Sequence, residues 1–558
     1  MTTTTTTVHP EPVDLILTGG PIVTMDPELG TQEAIAIDGD HIVAVGTADD
    51  MVRYEGPDTT VVDLKGRAVQ PGFVDPHTHI LTDMGGIEAG QSLALANGIT
   101  SLADASVEPG VTEVFIEASR AGRLRVRTTL YLIRTNVCGE DLGRWYEAYE
   151  PGQEVADRVR IGGVKIFSDG GACRALATSE PILEGYDSTD LYFDAATLAD
   201  MIGAADAAGY QVIVHAQGDV AIAAVQDAYA AVLDGGPNVL RHRIDHNAIQ
   251  TDATIRRYGE LGLVTVLFGS SEACRAELAW TDFYKEHGDR PGDIIAANPG
   301  LIVAWHGDDP WMTPISPIGE YFSLVTRGRV DEDGTVCPPA DWMQGAEVAR
   351  DQALEMMTID AAYAIGQDDV VGSLTPGKFA DLVILTGDLL TVPTDSIPDV
   401  QFLATIIGGV TEYCLRGAED VCPGVEPQAG PTATASASRA GKGPELVFDG
   451  SVDGESFWSS GADPPQWIMV DLPTSGTVTE IRFVVYQNPP SDTVHELEVR
   501  VDGEWSLVET FQGFTTTGDI LTWRPASPME NVSAFRMTTI ESLSWPEWAE
   551  IEVDTTDG

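Results

Sequence analysis

The chain has 558 residues, 87 of them Asp or Glu against 31 Lys or Arg, for a formal charge of −56. So acidic a surface repels polyanions, which argues against nucleic acid and anionic membrane as partners. The length predicts two or three domains, and no run of eighteen apolar residues is present to span a bilayer.

Met1 and the six threonines after it lack the basic and apolar regions of a secretory signal. Residues 1–12 are expected to be disordered and the chain cytoplasmic, with an extracellular location the alternative if a signal has been removed. From residue 13 to 70 short apolar runs alternate with turns, and Asp38-Gly39-Asp40 between two such runs is a hairpin signal. Residues 71–370 change texture: apolar strands alternate with alanine-rich helical stretches such as Ala195 to Ala208 and Val220 to Leu233. That alternation predicts an α/β fold, a (β/α)8 barrel. Strand texture returns over 371–420, so the two flanks are expected to form one composite β-sandwich domain. Residues 421–445, rich in Pro, Ala, Ser, Thr and Gly, have the composition of a linker. Residues 446–556 hold most of the tryptophans in repeated β patterns, which predicts a separate all-β sandwich.

Six side chains able to bind a metal fall at or near strand ends. Pro71-Gly-Phe-Val-Asp75 runs into Pro76-His77-Thr78-His79, and side chains two apart on a strand point the same way, so His77 and His79 can serve one ion. Lys165 interrupts Gly163-Val-Lys-Ile-Phe167, His215 closes Gln211-Val-Ile-Val, His246 closes Arg241 to Asp245, and Asp308 follows Leu301 to Gly307. In a βα barrel the C-terminal strand ends form the active face, so these residues would converge. Singly each has a structural explanation: a lysine in a strand can snorkel, a strand-end histidine can be hydrogen-bonded, an aspartate near proline can make a turn. Together, in order, they point to one site.

On these motifs the chain resembles the amidohydrolase superfamily, within it the branch of N-substituted formamide deformylases. The resemblance rests on Val13 to Asp26, Pro71 to His79, Val164 to Gly170, Val214-His-Ala-Gln-Gly-Asp219, Arg241 to His246 and Gly372 to Asp381. It covers about residues 13–415 and implies a distorted barrel, a mono- or binuclear divalent metal site, and hydrolysis of a carbon–nitrogen bond in a small amide-type substrate. It implies that His77 and His79 hold one ion, His215 and His246 a second, and that Lys165, carbamylated by carbon dioxide, bridges them. Zinc is the expected metal, with manganese and iron as alternatives. A family segment of Gly-Ser-Asp-x-Pro type, aligned without gaps on Ala304 to Pro310, places the catalytic aspartate, general acid and base to a metal-bound hydroxide, on Asp308; Asp309 is the alternative.

Two departures from the family pattern concern the pocket. Fewer than twenty residues separate His79 from Gly98, where relatives carry a longer insertion, so an open pocket is expected. The Lys165 loop is shortened to Asp169-Gly-Gly-Ala-Cys-Arg174, and Arg174, Trp305 and His306 are candidate substrate-binding residues. The C-terminal region resembles a discoidin-like, galactose-binding-like sandwich through Phe457-Trp458, Gln466 to Leu472, Asp502 to Trp505 and Trp548 to Val553. It could bind carbohydrate or mediate homo-oligomers, and its tryptophans are expected mainly in its core. The rival functions are a deaminase or lactone hydrolase on the same barrel, and a non-catalytic scaffold. The cysteines, Cys138, Cys173, Cys274, Cys337, Cys414 and Cys422, lack CxxC spacing and are expected reduced, with Cys414 and Cys422 able to pair. Lysine is confined to Lys65, Lys165, Lys285, Lys378 and Lys442, which together with the acidity suggests a salt-adapted surface.

Overall fold

Between Phe73 and His306 eight largely apolar stretches form parallel strands. They are β1 (Phe73–Thr78), β2 (Ile99–Val107), β3 (Arg127–Ile133), β4 (Val159–Phe167), β5 (Gln211–Ala216), β6 (Arg243–His246), β7 (Val264–Phe268) and β8 (Val303–His306). Neighbours in the chain are neighbours in the sheet, and every one of these pairings is parallel. A strand covered on both faces must be buried at every position, as β1, β5, β6 and β8 are. This computed structural model describes residues 11–555, apart from residues 84–85, 172, 187, 312–314, 332–334, 416, 426–431, 440–441, 449–456 and 502. Most of the expected disordered N-terminus, residues 1–10, lies outside the described residues.

The two alanine-rich stretches are helices, Ala195–Asp206 and Asp219–Leu233. The first starts where the Asp194 carboxylate accepts from Thr197 N at 2.8 Å, satisfying a backbone donor the helix cannot. The barrel closes on itself at the mouth: Asp308 N donates to His77 O at 3.3 Å, and His79 N to Asp309 O at 2.8 Å. Deeper in the same seam, Trp305 Nε1 donates to Val74 O at 2.8 Å. The short segment after β1 forms two helices, Ile80–Asp83 and Ile87–Ala96.

Both flanks contribute to one eight-stranded sheet, in which Ala68–Pro71 pairs antiparallel with Leu382–Leu385. Its hairpin joins Thr31–Asp38 to His41–Gly46 through Gly39, whose φ of +55° suits glycine. The chain divides into two compact units, residues 1–425 and 426–558. The second is all β, with long antiparallel strands Gln466–Val485, Ser491–Val501, Glu504–Thr515 and Met529–Glu541. Trp458 and Trp548 are buried in its core, as a sandwich interior demands.

Two expectations are corrected. All six cysteines are paired, as Cys138–Cys173, Cys274–Cys337 and Cys414–Cys422. Two of these bonds join segments 35 and 63 residues apart, and a scan for close spacing cannot see such pairs. The stretch 421–445 is not wholly a linker. Val421 and Cys422 are buried in the core of the flanking sheet, and Thr432–Ala435 is a strand paired with Ile468 to Asp471. Small alternating Thr and Ala read as flexible by composition, yet they fit a pleated surface once a partner strand supplies the hydrogen bonds.

Candidate metal centre

His77 is the penultimate residue of β1, and the chain turns straight after it so that His79 joins it at the mouth. Lys165 lies inside β4, His215 near the end of β5, His246 ends β6 and His306 ends β8. Asp308, two residues past β8, has a left-handed φ of +57°, and His246 one of +81°. Such conformations are uncommon for residues with a Cβ and cluster where a site dictates the backbone path.

The side chains converge. Asp308 Oδ1 lies 3.3 Å from His79 Nε2 and 3.5 Å from His77 Nε2, and its Oδ2 lies 3.9 Å from His246 Nδ1. Lys165 Nζ is 3.3 Å from His77 Nε2. The rings of His215 and His246 are 4.2 Å apart, those of His246 and His306 4.8 Å. Among the described residues, two groups have ligand atoms near enough to share an ion: His77, His79 and Asp308, and His246, His306 and Asp308. His215 is next to His246 but outside both groups.

Burial decides the charge state. His77, His215 and His246 are held well below the ordinary imidazole value, first by desolvation and then by Lys165 or a neighbouring histidine. His306 is brought down to about 3, chiefly by burial. These rings are therefore neutral, each with a lone pair, and the Nε2 of His215 and both nitrogens of His246 and His306 are buried without a hydrogen-bond partner among the described residues. Unpartnered buried nitrogens are costly unless something binds them, and a divalent cation fits that requirement. Burial also lowers Lys165 to about 8. For Asp308 burial acts upward but is outweighed by His79, His306 and Lys165, which bring its carboxyl down to about 2. Its neighbour behaves oppositely: burial and the charge of Asp308 raise Asp309 to about 7. Of the two aspartates, Asp308 is the one the fold brings to the histidines.

Asp245, one residue before His246, accepts from His77 Nδ1 at 2.6 Å and so fixes that ring with Nε2 facing the cluster. Its charge is balanced by the fully buried Arg243, whose Nε stands 3.0 Å from Oδ1. Neither residue was among the sequence candidates, although Arg243 and Asp245 alternate on a strand ending in His246. Of the three substrate-binding candidates, His306 belongs to the cluster. Trp305 points the other way on β8, into the core, packed edge-on against Phe73. Arg174 is exposed and stacks over Tyr192, its guanidinium 4.7 Å from the ring. The histidines themselves lie deep: His77, His79, His215, His246 and His306 are all buried.

Fold and site together define a parallel βα barrel with a candidate metal centre at the C-terminal ends of its strands. Residues 84–413 match the model of the Amidohydrolase family, and the chain belongs to that family. Residues 432–552 match the F5/8 type C domain, which agrees with the discoidin-like expectation. Among curated proteins the chain is 27% identical over 345 residues to Protein LONG AFTER FAR-RED 3 of Arabidopsis thaliana, covering 57% of this chain and 55% of that protein. It is 27% identical over 336 residues to N-substituted formamide deformylase of Arthrobacter pascens, covering 58% and 59%. Both matches span little more than half of those relatives. Imidazolonepropionase of Symbiobacterium thermophilum is 26% identical over 431 residues, 67% of this chain and 91% of that one. In fold, the chain is similar to a metal-dependent hydrolase from Pyrococcus furiosus, with a TM-score of 0.56, 19% identity, and coverage of 68% of this chain and 100% of that one.

Proposed function

We propose that the chain is a metal-dependent hydrolase that cleaves a carbon–nitrogen bond of a small, non-peptide amide, with Asp308 as general acid and base. The observation that carries this reading is the meeting of one ionised carboxylate with His77, His79 and His246 at the barrel mouth, 3.3 to 3.9 Å away. His77, His79, His246, His306 and Asp308 would hold the ion or ions, with His215 beside them, and zinc suits such nitrogen and oxygen donors. When bound, such an ion polarises a carbonyl and makes a water more acidic.

The remaining chemistry belongs to the side chains. Asp308, ionised at neutral pH, accepts a proton from the attacking water and returns it to the leaving nitrogen. Lys165, lowered to about 8, keeps a neutral fraction near pH 7 that carbon dioxide can carbamylate, turning a buried amine into an anionic oxygen donor. Asp245 orients His77. The names of the relatives, a formamide deformylase, an imidazolonepropionase and an adenine deaminase, all concern carbon–nitrogen bonds and support this reaction class. Release of ammonia in a substrate panel would favour a deaminase on the same barrel, and ester cleavage a lactone hydrolase.

Asp308→Asn should abolish turnover while metal analysis still finds the ion, and Lys165→Ala should lose both. Full activity in Asp308→Asn removes this role from Asp308. Three cystine pairs favour an oxidising compartment, so we propose export rather than a cytoplasmic location. For the F5/8 type C domain we propose carbohydrate binding, to be tested on a glycan array.

A further inference from the structure

Beside His246 the barrel mouth opens into a cavity of about 140 Å³, whose walls include Leu176, Ile182, Ile249, Phe268, Trp280 and Tyr284. Trp280 and Tyr284 stack at 4.0 Å with an interplanar angle of 17°, presenting a flat aromatic surface. A cavity of this volume is about the size that accepts a benzene ring (about 150 Å³). Its lining is mixed, with Gln217, Asn247, Gln250, Asp289 and Arg290 beside the apolar side chains. Glu272 lines the cavity, and its Oε2 is buried without a hydrogen bond among the described residues.

The other charged groups of the cavity are committed elsewhere. Asp289 pairs with the buried Arg327, and Arg290 is bonded to Asp252, Asp293 and the carbonyl of Gln250. Around Glu272 the nearest cation is Arg275, 3.7 Å from Oε2 and beyond hydrogen-bond reach. Nor is Glu272 free to swing away with its loop. Ser271 Oγ donates to the carbonyls of Arg327 and Gly328 at 3.0 and 2.9 Å, and Cys274 is cross-linked to Cys337. Arg275 offsets the charge at ion-pair distance, but a buried carboxylate oxygen facing a ring-sized space without a hydrogen-bond donor among the described residues costs free energy unless a ligand supplies one.

Building on the hydrolase reading above, we propose that this cavity receives a compact, ring-sized apolar group of the substrate, and that Glu272 is a specificity-determining residue accepting a hydrogen bond from a hydroxyl or ammonium on that group. A site that holds an unsatisfied acceptor rejects the analogue lacking the donor far more strongly than a plain apolar slot rejects a lost methylene. The net charge of −56 adds a long-range pull on cationic substrates at low salt.

The test has two arms on the full chain. In the first, calorimetry measures p-cresol, 4-methylbenzylamine and p-xylene, which carry a hydroxyl, an ammonium and no donor. At least one donor-bearing probe should bind about tenfold or more tightly than p-xylene, and which one does so identifies the donor. Glu272→Leu should cancel that preference, Glu272→Gln should keep part of it, and Ala248→Phe, which fills the cavity, should abolish binding of all three. Equal binding of the probes by the wild type, or binding that survives Ala248→Phe, overturns the proposal. In the second arm, kcat/KM is compared for the N-acetyl derivatives of methylamine, benzylamine and the two 4-substituted benzylamines carrying those donors. Loss of the donor preference in Glu272→Leu supports the assignment; no preference in the wild type opposes it. If no amide is hydrolysed but the binding results hold, the hydrolase reading fails and the cavity assignment stands.

Discussion

Replacing Asp245 by asparagine removes one charge and disturbs two partners. Asp245 is fully buried; its Oδ2 accepts from His77 Nδ1 at 2.6 Å and from Arg243 Nη2 at 3.3 Å. Arg243 is equally buried, and its other bonds go to the carbonyls of Ala364 and Pro76, at 3.1 and 2.6 Å, which carry no net charge. Asp245→Asn therefore leaves a guanidinium in the interior without its counter-ion, a change that costs about 3–5 kcal/mol when one member of a buried pair is lost. The same substitution weakens the bond that orients His77, and such supporting partners are worth about 10- to 100-fold in metal affinity, or about 1.4–2.7 kcal/mol. Urea unfolding of metal-depleted protein measures the first effect, and competition against a chelator the second. A variant with an unchanged unfolding midpoint and a metal affinity within about twofold of the wild type would refute both steps of the reasoning.

His306→Ala should reduce the metal bound per chain or weaken it by about tenfold or more, read by metal analysis after dialysis, because it deletes a neutral nitrogen facing His246 and Asp308. Reducing the Cys274–Cys337 bond, or replacing both cysteines by serine, frees a loop of 63 residues and should lower stability by about 4 kcal/mol in the loop-entropy account, measured by urea unfolding. His495, buried in the second unit, has its value lowered by burial from 6.5 to about 4. The unfolded chain therefore binds the extra proton between about pH 6.5 and 4, so this group makes stability fall as pH drops through that window. His495→Gln should flatten that part of the stability profile of the full chain.

The barrel was legible because strands buried on both faces and helices with one apolar face have different periods, and the two alternate from Phe73 onward. His77, His79, His246 and Asp308 were legible because strand-end position is visible in sequence and the barrel makes that position meaningful. Trp305 and His306 are both pocket candidates by sequence, yet one residue decides which face of β8 a side chain occupies, and the two divide core from site between them. Asp245 and Arg243 escaped because their importance lies in partners far along the chain; Asp245 and His77 are 168 residues apart. Cys414–Cys422, eight residues apart, was within reach of the sequence, whereas the other two disulfides escaped for the same reason as Asp245: only the folded chain brings Cys274 to 5.1 Å from Cys337 between Cα atoms.

The seam that closes the barrel has a consequence for assembly. His77 comes from the first strand and Asp308 from just beyond the last, and their backbones are stitched to each other across that seam. No partly folded chain lacking the eighth strand can present both ligands, so the cluster exists only when the ring is complete. An ion gripped by both ends would act as a clasp on a hoop, making full metal affinity a signature of finished folding and loosening of the seam a route to metal loss.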